Sequence, residues 1–446
     1  MRYAPLLLIA AHVSHAALPW QLLIGPDLNN WTQRNGVATY RVEDQRIIGR
    51  TVPGTPNSFL CTPRDYGDFI LEYELKVDPR LNSGVQIRSA AHPTETSFTN
   101  PDGKAGTIPA GRVHGYQMEI DNDPKKDRWW TAGLYEEARR GWLYPGLAGG
   151  DGKAFTEQGR RITRADDWNR VRVTAIGPRI RSWLNDEPRV DALDEATAQG
   201  FIALQVHGVG KDPALGGLEV QWRDIRVMPL GGGTAEPNTL SAIEEAQGWT
   251  LLWDGAGGRG WRGAKQEGLP PQGWTVEDGA LTVRKGGGDL LTTETYGNFI
   301  LKLEFRLTEG ANSGIKYRVD SQGGTSIGME YQLLDDARHP DAKNGRDGNR
   351  TLASLYDVWT AQNKRPRDIG AWNQAMIIAD GTRIEHWLNG DLVLAFDTAS
   401  PAFAEARAAS KFKKVADFGV RPAGPILLQD HGDPVSFRNI KIRRLD

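Results

Sequence analysis

Short segments of this chain alternate apolar and polar side chains at every second position. Residues 69–77 read FILEYELKV and residues 299–307 read FILKLEFRL. A period of two over such a length predicts an antiparallel strand with one buried face. Shorter segments of the same kind lie at 171–176, 179–184, 201–206, 224–227, 375–378, 383–388, 426–428 and 440–442. Helical candidates are confined to 191–199 and 402–410, so the pattern predicts an all-β protein.

The strand pattern occurs twice in the same order. Residues 66–88 read YGDFILEYELKVDPRLNSGVQIR, and residues 296–318 read YGNFILKLEFRLTEGANSGIKYR. Downstream, WNRVRVTAIGPRIRSWLND corresponds to WNQAMIIADGTRIEHWLNG, and GFIALQVHG corresponds to GPILLQDHG. Two long copies indicate a tandem duplication, because a solenoid would need several short repeats.

A segment rich in glycine separates the two copies. Residues 230–247 read LGGGTAEPNTLSAIEEAQ, which contains a glycine run, a proline and few strand signals. We therefore predict domains at 17–230 and 247–446, joined by a linker at 231–246 that ends in a helical turn. Many short strands with glycine-rich turns favour a β-sandwich, or jelly roll, for each domain.

The first 16 residues are typical of a secretory signal. Arg2 supplies the positive end, residues 5–13 are an apolar run, and residues 14–16 form a small-x-small cleavage site. The apolar run is too short to span a bilayer. We therefore expect an exported protein, periplasmic or extracellular, whose single cysteine, Cys61, forms no intramolecular disulfide.

Composition narrows the range of partners. A net charge of -2, with 25% charged residues, gives no reason to expect nucleic acid or membrane insertion. The 15 tryptophans suit a sandwich that either buries indoles in its cores or stacks sugars on them. The glycine runs do not follow strands as phosphate-binding loops do, so no nucleotide cofactor is expected.

The ordered set of motifs resembles the 3-keto-disaccharide hydrolase domain family. In the second copy these motifs are WTVEDGALTV, YGNFILKLEFRL, NSGIKYR, GMEYQLLDD, EHWLNG and LQDHG. The first copy carries the sister set GYQMEIDN, GLYEEARRGWLYP, SWLND and GFIALQVHG. The resemblance implies two concanavalin-like, laminarinase-like jelly rolls and action on glycosides oxidised to a ketone at C3.

A ketone at C3 would make the neighbouring C2 hydrogen acidic. A base could remove that hydrogen to give an enediolate, the C1 substituent would leave, and water could add afterwards for a net hydrolysis. Such a site needs a base and a group that stabilises the oxyanion, either a divalent metal or an arginine. An ordinary glycosidase would instead need two carboxylates at one anomeric carbon.

Residue types and shared faces select the candidates for this chemistry. Gln117 and Glu119 correspond to Glu330 and Gln332, so that acid and amide have exchanged places between the copies. The catalytic candidates are Glu330, Glu385, His431, Arg318, Glu119 and His207. The substrate-binding candidates are Arg88, Gln117, Glu136, Arg140, Trp142, Gln205, Gln332, Tyr356 and Gln429. Glu385 is preferred to its neighbour His386, whose strand face is that of core residues.

Other interpretations stay open at this point. The carboxylate–amide strand could be a solvated outer face, and Arg88 and Arg318 could form ion pairs within their sheets. The family resemblance and scattered acids suggest a calcium or zinc ion held by Glu330, Asp335 and His431, although the chain has no HExxH motif. The alternative function is that of a lectin-like protein that binds carbohydrate without turnover. The sequence does not indicate an oligomeric state.

Overall fold

A computed structural model describes residues 20–100, 105–122, 127–233, 235–320 and 326–445. The predicted signal sequence at 1–16 lies outside these residues. Within the described residues the protein is all-β and forms two sandwiches, as predicted. None of the helices in this part of the chain is long and apolar enough to cross a membrane.

Domain one is a sandwich of two antiparallel sheets. The inner sheet, which faces domain two, has the order β15-β14-β13-β6-β17-β4-β3, with β1 beside β17, and the outer sheet has the order β12-β11-β10-β7-β16-β5-β2. The strands are β1 (Gln21–Leu22), β2 (Thr32–Asn35), β3 (Thr39–Glu43), β4 (Arg46–Arg50), β5 (Ser58–Tyr66), β6 (Phe69–Val77), β7 (Asn82–Ala90), β8 (Thr96–Thr99), β9 (Ala105–Ile108), β10 (His114–Asp121), β11 (Leu134–Glu137), β12 (Gly141–Tyr144), β13 (Asn169–Ile176), β14 (Arg179–Leu184), β15 (Glu187–Leu193), β16 (Gly200–Val206) and β17 (Glu219–Pro229). Strands β8 and β9 form a separate hairpin.

Domain two repeats this arrangement with a smaller outer sheet. Its inner sheet has the order β20-β21-β30-β23-β26-β27-β28, with β18 beside β30, and its outer sheet has the order β19-β22-β29-β24-β25. The strands are β18 (Thr250–Leu251), β19 (Trp261–Gly263), β20 (Trp274–Glu277), β21 (Ala280–Val283), β22 (Leu290–Thr292), β23 (Phe299–Leu307), β24 (Asn312–Asp320), β25 (Ile327–Leu334), β26 (Asn373–Asp380), β27 (Arg383–Leu388), β28 (Asp391–Asp397), β29 (Leu427–Leu428) and β30 (Val435–Arg444).

In the part of the chain that the structure describes, three α-helices lie outside the sheets. They are α1 (Gly152–Ile162), α2 (Ala242–Ala246) and α3 (Pro401–Ala408). Helix α3 confirms the predicted helix at 402–410, whereas the predicted helix at 191–199 is wrong because its first residues continue strand β15. Helix α1 was missed because its sequence, GKAFTEQGRRI, contains two glycines and few apolar residues. Only Phe155 and Ile162 anchor its buried face, although Asp151 caps its N-terminus.

The alternation in the sequence reflects where each side chain packs. On β6, Phe69 and Leu71 enter a core that also contains Met118 of the outer sheet. On β23 the corresponding residues Phe299 and Leu301 enter a second, separate core. Each domain therefore has its own core. The alternating apolar residues of its strands face that core, as the period of two predicts.

One residue on each of these strands breaks the alternation for a structural reason. Ile70 and Ile300 lie on the otherwise polar face, and both are buried in a third cluster between the two inner sheets. This interdomain cluster contains Ile70, Ile176, Met228, Leu230, Trp249, Ile300, Met376, Ile378 and Trp387. The two sandwiches consequently pack back to back, and their outer sheets face away from each other.

Buried ion pairs cross the same interface. Lys302 Nζ lies 2.5 Å from Asp68 Oδ2 and 3.2 Å from the carbonyl oxygen of Leu230. Asp391 Oδ2 and Oδ1 accept hydrogen bonds from Arg179 at 2.8 Å and Arg181 at 2.7 Å. These groups are removed from water, so their pairing fixes one relative orientation of the two inner sheets.

The predicted linker is bound between the domains. It contains helix α2, whose capping box joins Ser241 and Glu244. Glu244 also accepts a hydrogen bond from the backbone N–H of Gly232 at 3.2 Å and from Lys441 Nζ at 2.7 Å. The segment between 231 and 246 is therefore anchored to the second domain, and it does not act as a free spacer.

The shared interface makes a prediction about stability. Replacing Ile300 by Ala should lower the free energy of unfolding by about 2–5 kcal/mol, because it leaves a cavity between the inner sheets. The exposed Ile369 in the same domain is a matched control, and its replacement by Ala should change stability by less than about 0.5 kcal/mol. Chemical denaturation of both full-length variants measures the difference, and equal midpoints would contradict this packing.

Separate cores also predict that the domains fold apart. Residues 17–230 and 247–446, expressed separately, should each unfold cooperatively, because each half contains its own sandwich core. Each half would expose its side of the interdomain cluster, so the mixed halves should associate. Sedimentation of the two halves alone and together measures this, and absence of any complex would show that the interdomain cluster contributes little.

Candidate functional site

The outer sheets carry the polar candidates on their outward faces. On β10, Tyr116 and Met118 point into the core, so Gln117 and Glu119 point outward. On β25, Met329 and Tyr331 point into the core, so Glu330 and Gln332 point outward. We name these surfaces the first and second outer faces.

Strand register establishes how the two faces correspond. Glu119 lies opposite Gly84, and Gln332 lies opposite Gly314. Two residues earlier on each strand, Gln117 lies opposite Gln86 and Glu330 lies opposite Lys316. Glu330 and Gln117 are therefore structural equivalents, and the exchange of acid and amide between the copies is confirmed.

The glycine of each Asn-Ser-Gly sequence is required by close approach. A Cβ atom on Gly314 would lie 2.5 Å from Glu330 Oε1, and one on Gly84 would overlap the side chain of Gln117. These glycines let the side chains of the next strand lie across the backbone of β7 and β24.

Glu119 is held in a network of amides on the first outer face. Its carboxylate accepts hydrogen bonds from Asn82 Nδ2 at 2.5 Å and Gln117 Nε2 at 2.7 Å. Gln117 Oε1 in turn accepts from Gln86 Nε2 and from Gln205 Nε2, the latter at 3.0 Å. Side-chain amides thus orient the carboxylate from two sides.

Burial raises the pKa of the Glu119 carboxyl to about 7. Loss of solvation is the largest cause, and the hydrogen bonds from Asn82 and Gln117 act against it. The nearby carboxylates of Asp121 and Glu137 raise the pKa further. A carboxyl that titrates near neutrality is suited to take up and return a proton.

The second outer face combines a buried acid with cations. Glu330 Oε2 lies 3.8 Å from Lys316 Nζ. The amide of Gln332 is oriented by its neighbours so that its nitrogen donates to Glu330 Oε1 at 3.1 Å. Burial raises the pKa of the Glu330 carboxyl, while the positive charges of Lys316 and Lys411 and the imidazole of His431 act in the opposite direction.

Both faces contain the same unpaired atom. Gln205 Oε1 and Gln429 Oε1 occupy equivalent positions in LQVHG and LQDHG, and both oxygens are buried without a hydrogen-bond partner among the described residues. A buried acceptor without a donor costs about 1–3 kcal/mol. Both copies therefore keep the same buried amide acceptor at this position.

The histidines that follow these glutamines lie at the ends of the faces. His207 is half-buried, with Nδ1 2.8 Å from the carbonyl oxygen of Gly208. His431 is exposed and lies close enough to Glu330 to act against the rise in the pKa of the Glu330 carboxyl.

The two arginines after Asn-Ser-Gly are buried away from the outer faces. Arg88 and Arg318 adopt positive φ angles of 44° and 50° at their strand ends. Arg88 donates to the carbonyl oxygens of Gly67 and Gly177 at 2.7 Å and pairs with Asp68. Arg318 donates in the same way to the backbone of Gly297 and Gly381.

These contacts correct the predicted roles of both arginines. The guanidinium groups join turns of the inner sheet to the outer sheet and do not reach the face that carries Glu119 or Glu330. Arg88 is therefore not a substrate ligand in this structure, and Arg318 is not available as the electrophile.

Glu385 is also separated from Glu330, although both are buried. It lies on β27 of the inner sheet and faces domain one, where it accepts hydrogen bonds from Arg383 at 2.6 Å and Trp387 Nε1 at 2.9 Å. The structure does not bring it into a cleft with Glu330. The expectation that His386 belongs to the core is confirmed, because it is buried between Tyr317 and the carbonyl oxygen of Ala353 and burial lowers its pKa to about 4.

The acidic loop of domain one places the neighbouring acid on the face. Glu136 points away from the first outer face and binds Arg140, which also pairs with Asp194. Glu137 instead points onto the face, 3.4 Å from Gln205 Nε2. The structure therefore does not place Glu136 or Arg140 on the face as the predicted substrate ligands. The acid that points onto the face is Glu137, the next residue of β11.

The predicted aromatic ligands lie where they can contact a sugar. Trp142 pairs across strands with Tyr135, and the ring centroids are 5.3 Å apart. Tyr356 of the second outer face is the equivalent of Tyr135, and its backbone N–H donates to the Glu330 carbonyl oxygen at 3.1 Å. Each face thus has an aromatic side chain beside the same strand position, which Gln117 occupies in domain one and Glu330 occupies in domain two.

The proposed metal ligands do not form a set. Asp335 is held by the backbone N–H of Gly310 at 2.9 Å and by Arg338 at 3.1 Å, at the end of β25. Among the described residues, no group of three or more His, Cys, Asp or Glu side chains could hold a metal ion. These residues do not fit a calcium or zinc site, and the metal requirement stays a prediction that chelation can test.

Several residues on these faces escaped the sequence analysis. Gln86 and Lys316 each lie two residues after the glycine of an Asn-Ser-Gly sequence, on the outward face of the same strand. Strand alternation could therefore have identified them. Lys411 has no local signal. It follows helix α3, far along the chain from Glu330, and reaches the second outer face only through the fold.

Each jelly roll carries a buried acid beside a side-chain amide on its open face. A family described as the 3-keto-alpha-glucoside-1,2-lyase-like domain matches this chain at residues 19–228 and again at 248–443. The chain therefore belongs to this family through both of its domains.

One named relative agrees with this assignment. A 3-keto-disaccharide hydrolase of Bacteroides thetaiotaomicron is 34% identical over 243 residues, which cover 48% of this chain and 83% of the relative. Two candidate glycosyl hydrolases of Parabacteroides distasonis with known crystal structures are 31% and 28% identical. They match 47% and 44% of this chain and 100% and 99% of their own, with TM-scores of 0.44 and 0.35.

The raised pKa of Glu119 predicts how stability changes with pH. Folding raises this pKa from 4.5 to about 7, so the folded state holds the proton more tightly. The resulting stability is fully present below pH 4.5 and is lost as the pH rises through 7, for a total of about 3 kcal/mol. Glu119→Gln should remove this loss, as measured by denaturation of both proteins at pH 4.5 and 8. An identical pH dependence in the variant would contradict the assignment.

Proposed function

We propose that this protein is an enzyme that cleaves 3-keto-glycosides by elimination at C1 followed by hydration. The observation that carries the proposal is the buried Glu330, with its raised pKa, beside Lys316 and Lys411 on the second outer face. Membership of the family and the named relative support a glycoside-directed hydrolase.

Glu330 is the proposed base. Its burial makes the ionised carboxylate less stable than it would be in water, so the pKa is raised and the carboxylate accepts a proton more readily. A ketone at C3 withdraws electrons from C2, and the hydrogen there becomes acidic enough for a carboxylate to remove. Gln332 orients the carboxylate through its amide, 3.1 Å from Oε1.

Lys316 and Lys411 are the proposed stabilisers of the negative charge that forms. Removal of the C2 hydrogen moves electrons onto the oxygen at C3. Cations fixed next to that oxygen lower the energy of the enediolate, because the site excludes much of the water that would screen them. Neither step requires the two opposed carboxylates of an ordinary glycosidase.

Departure of the C1 substituent completes the cleavage. Protonated Glu330 can return its proton to the leaving oxygen, and a double bond forms between C1 and C2. Water then adds to C1, and a proton adds to C2, so that the net reaction is hydrolysis.

The first outer face offers a different setting for the same ring. Glu119 can also act as a base, but the amides of Asn82 and Gln117 hold it, and its charged neighbours are the carboxylates of Asp121 and Glu137. Two cations near this face are already paired, Arg112 with Glu137 and Arg128 with Asp121. We propose that domain one binds glycoside and that domain two supplies most of the turnover.

Two matched variants test this assignment. Glu330→Gln should lower kcat on a 3-keto disaccharide by about 10²–10⁴-fold, because it removes the base. Glu119→Gln should leave most of the cleavage intact. Glu385→Gln, a buried glutamate on the inner sheet, controls for the loss of a buried charge and should keep its activity.

Each outcome of this comparison has a meaning. Loss of cleavage in Glu119→Gln with normal cleavage in Glu330→Gln would reverse the assignment of the two domains. Binding of 3-keto disaccharides by the wild type without any conversion would instead favour a lectin-like protein.

A further inference from the structure

Lys411 contributes a positive charge to the second outer face. Its Nζ lies 4.0 Å from the centroid of the Tyr356 ring and 5.0 Å from that of Phe412, as an ammonium ion does when it rests on aromatic rings. Among the described residues it forms no ion pair. The residue is exposed, so a ligand that arrives from solvent can reach this charge.

The other cation at the Tyr356 ring already has carboxylate partners. Arg350 lies 5.3 Å from the ring centroid and pairs with Asp341 at 3.0 Å and with Asp357 Oδ1 at 2.7 Å. The second oxygen of Asp357 accepts the backbone N–H of Lys411 at 2.6 Å. Both oxygens of Asp357 are thus engaged, and the Lys411 ammonium is left without a carboxylate in the described part of the chain.

A well-packed turn fixes where this charge lies. The next residue, Phe412, is buried and stacks on Phe418 with a centroid separation of 4.1 Å. The backbone N–H of Phe412 also donates to Ser410 Oγ at 3.0 Å. The N–H of Tyr356 donates to the Glu330 carbonyl oxygen at 3.1 Å, which joins the ring under the ammonium to the strand of the proposed base. The charge is therefore in position before a ligand binds, and this lowers the entropic cost of binding.

The corresponding position of domain one is occupied by an indole. Tyr135 corresponds to Tyr356, because each follows a leucine that pairs with the residue after Gln117 or Glu330. The Tyr135 ring is contacted by Trp142, with 5.3 Å between the ring centroids. The same strand position thus has an uncharged aromatic neighbour in domain one and an ammonium ion in domain two.

Carboxylates predominate on the first outer face. Arg112 pairs with Glu137, and Arg128 pairs with Asp121. Glu119 is held by amides and forms no ion pair among the described residues. An anionic ligand would therefore be repelled from this face, whereas a neutral ring suits both the amides and the indole. The two faces differ in the ligand charge that they favour.

We propose that the second outer face takes glycosides that carry a carboxylate group, such as uronides, and that the Lys411 ammonium binds this group. The proposal rests on the proposed function, because it places a glycoside ring on the face of Glu330, and it names the class of that glycoside. A single ammonium ion matches the one charge of a carboxylate better than the two charges of a phosphate. Lys316, 3.8 Å from Glu330, stays beside the acid. Domain one would take the neutral glycosides.

Calorimetric titration of the full-length protein tests the proposal. The probes are maltose and its two derivatives with a carboxylate at C6 of one ring or the other, and the matching carboxamides are the uncharged controls. None of them has a ketone at C3, so they bind without turnover. One carboxylate should bind about fivefold more tightly than maltose in dilute buffer, as for one favourable exposed ion pair. This gain should shrink in about 0.5 M sodium chloride, which screens exposed charges.

Three variants separate a contact with Lys411 from the net charge of the protein. Lys411→Gln should abolish the gain, and Lys411→Arg, which keeps the charge, should retain it. Lys413→Gln removes the same charge from an exposed residue of the same turn, and this matched control should keep the gain. A role of Lys411 in catalysis alone would leave the binding of these unreactive disaccharides unchanged.

The outcomes distinguish this proposal from the one on which it rests. If neither carboxylate binds more tightly than maltose, or if the gain survives in Lys411→Gln, the proposal is overturned. An equal loss in Lys413→Gln would also overturn it, because the preference would then come from net charge. Cleavage of 3-keto-maltose is measured in parallel. Cleavage without the preference would leave the proposed function standing, whereas the preference without cleavage would overturn the proposed function and leave a carboxylate-binding site.

Discussion

The apolar contact between the two inner sheets is the constraint on which the rest of the structure depends. Ile70 and Ile300 occupy equivalent positions on β6 and β23, and both are buried in the interdomain cluster. Because the inner sheets cover each other, each sandwich has one open side, the outer sheet. Buried pairs such as Lys302 with Asp68 add direction to this contact. The duplication thus produces two faces that point away from each other and cannot share one substrate ring.

Once the faces are separated, each is free to differ in chemistry while its backbone stays the same. The glycines at positions 84 and 314 are kept because the outward side chains of the next strand lie across them. Gln205 and Gln429 are also kept, each with an unpaired buried oxygen. The acid occupies a different outward position in each copy: Glu119 in domain one is equivalent to Gln332, and Glu330 in domain two is equivalent to Gln117. Amides surround it in domain one, whereas lysines approach it in domain two.

The sequence predicted what depends on local periodicity. Alternation over nine residues gave the strands and their buried faces, and the repeat gave two sandwiches joined near 231–246. The same rule placed Gln117 and Glu119 outward. This rule failed for residues that alternate correctly along their strand but are drawn into contacts elsewhere. Arg88 has outward parity, but a positive φ and the carbonyl oxygens of Gly67 and Gly177 turn it inward. Glu385 lies on a polar face that domain one covers.

Residues brought together over long distances in the chain could not be predicted in this way. Lys411 approaches Tyr356 because a short turn after α3 packs Phe412 into the core, and no pattern near residue 411 indicates that contact. The choice between Glu136 and Glu137 depended on the register of β11 against β10, which adjacent acids do not reveal. Composition and spacing thus identified the surface, and tertiary packing selected the groups that act on it.

The central claim is that Glu330 removes the hydrogen at C2 of a 3-keto-glycoside bound on the second outer face. A 3-keto disaccharide labelled with deuterium at C2 tests this claim directly when its sugar product is analysed by mass spectrometry, with an enzyme-free sample to correct for spontaneous exchange. The account predicts that the product formed by the wild type has lost the deuterium to solvent. A cleaved product that keeps deuterium at C2 would contradict the account, because direct hydrolysis at C1 never breaks that bond.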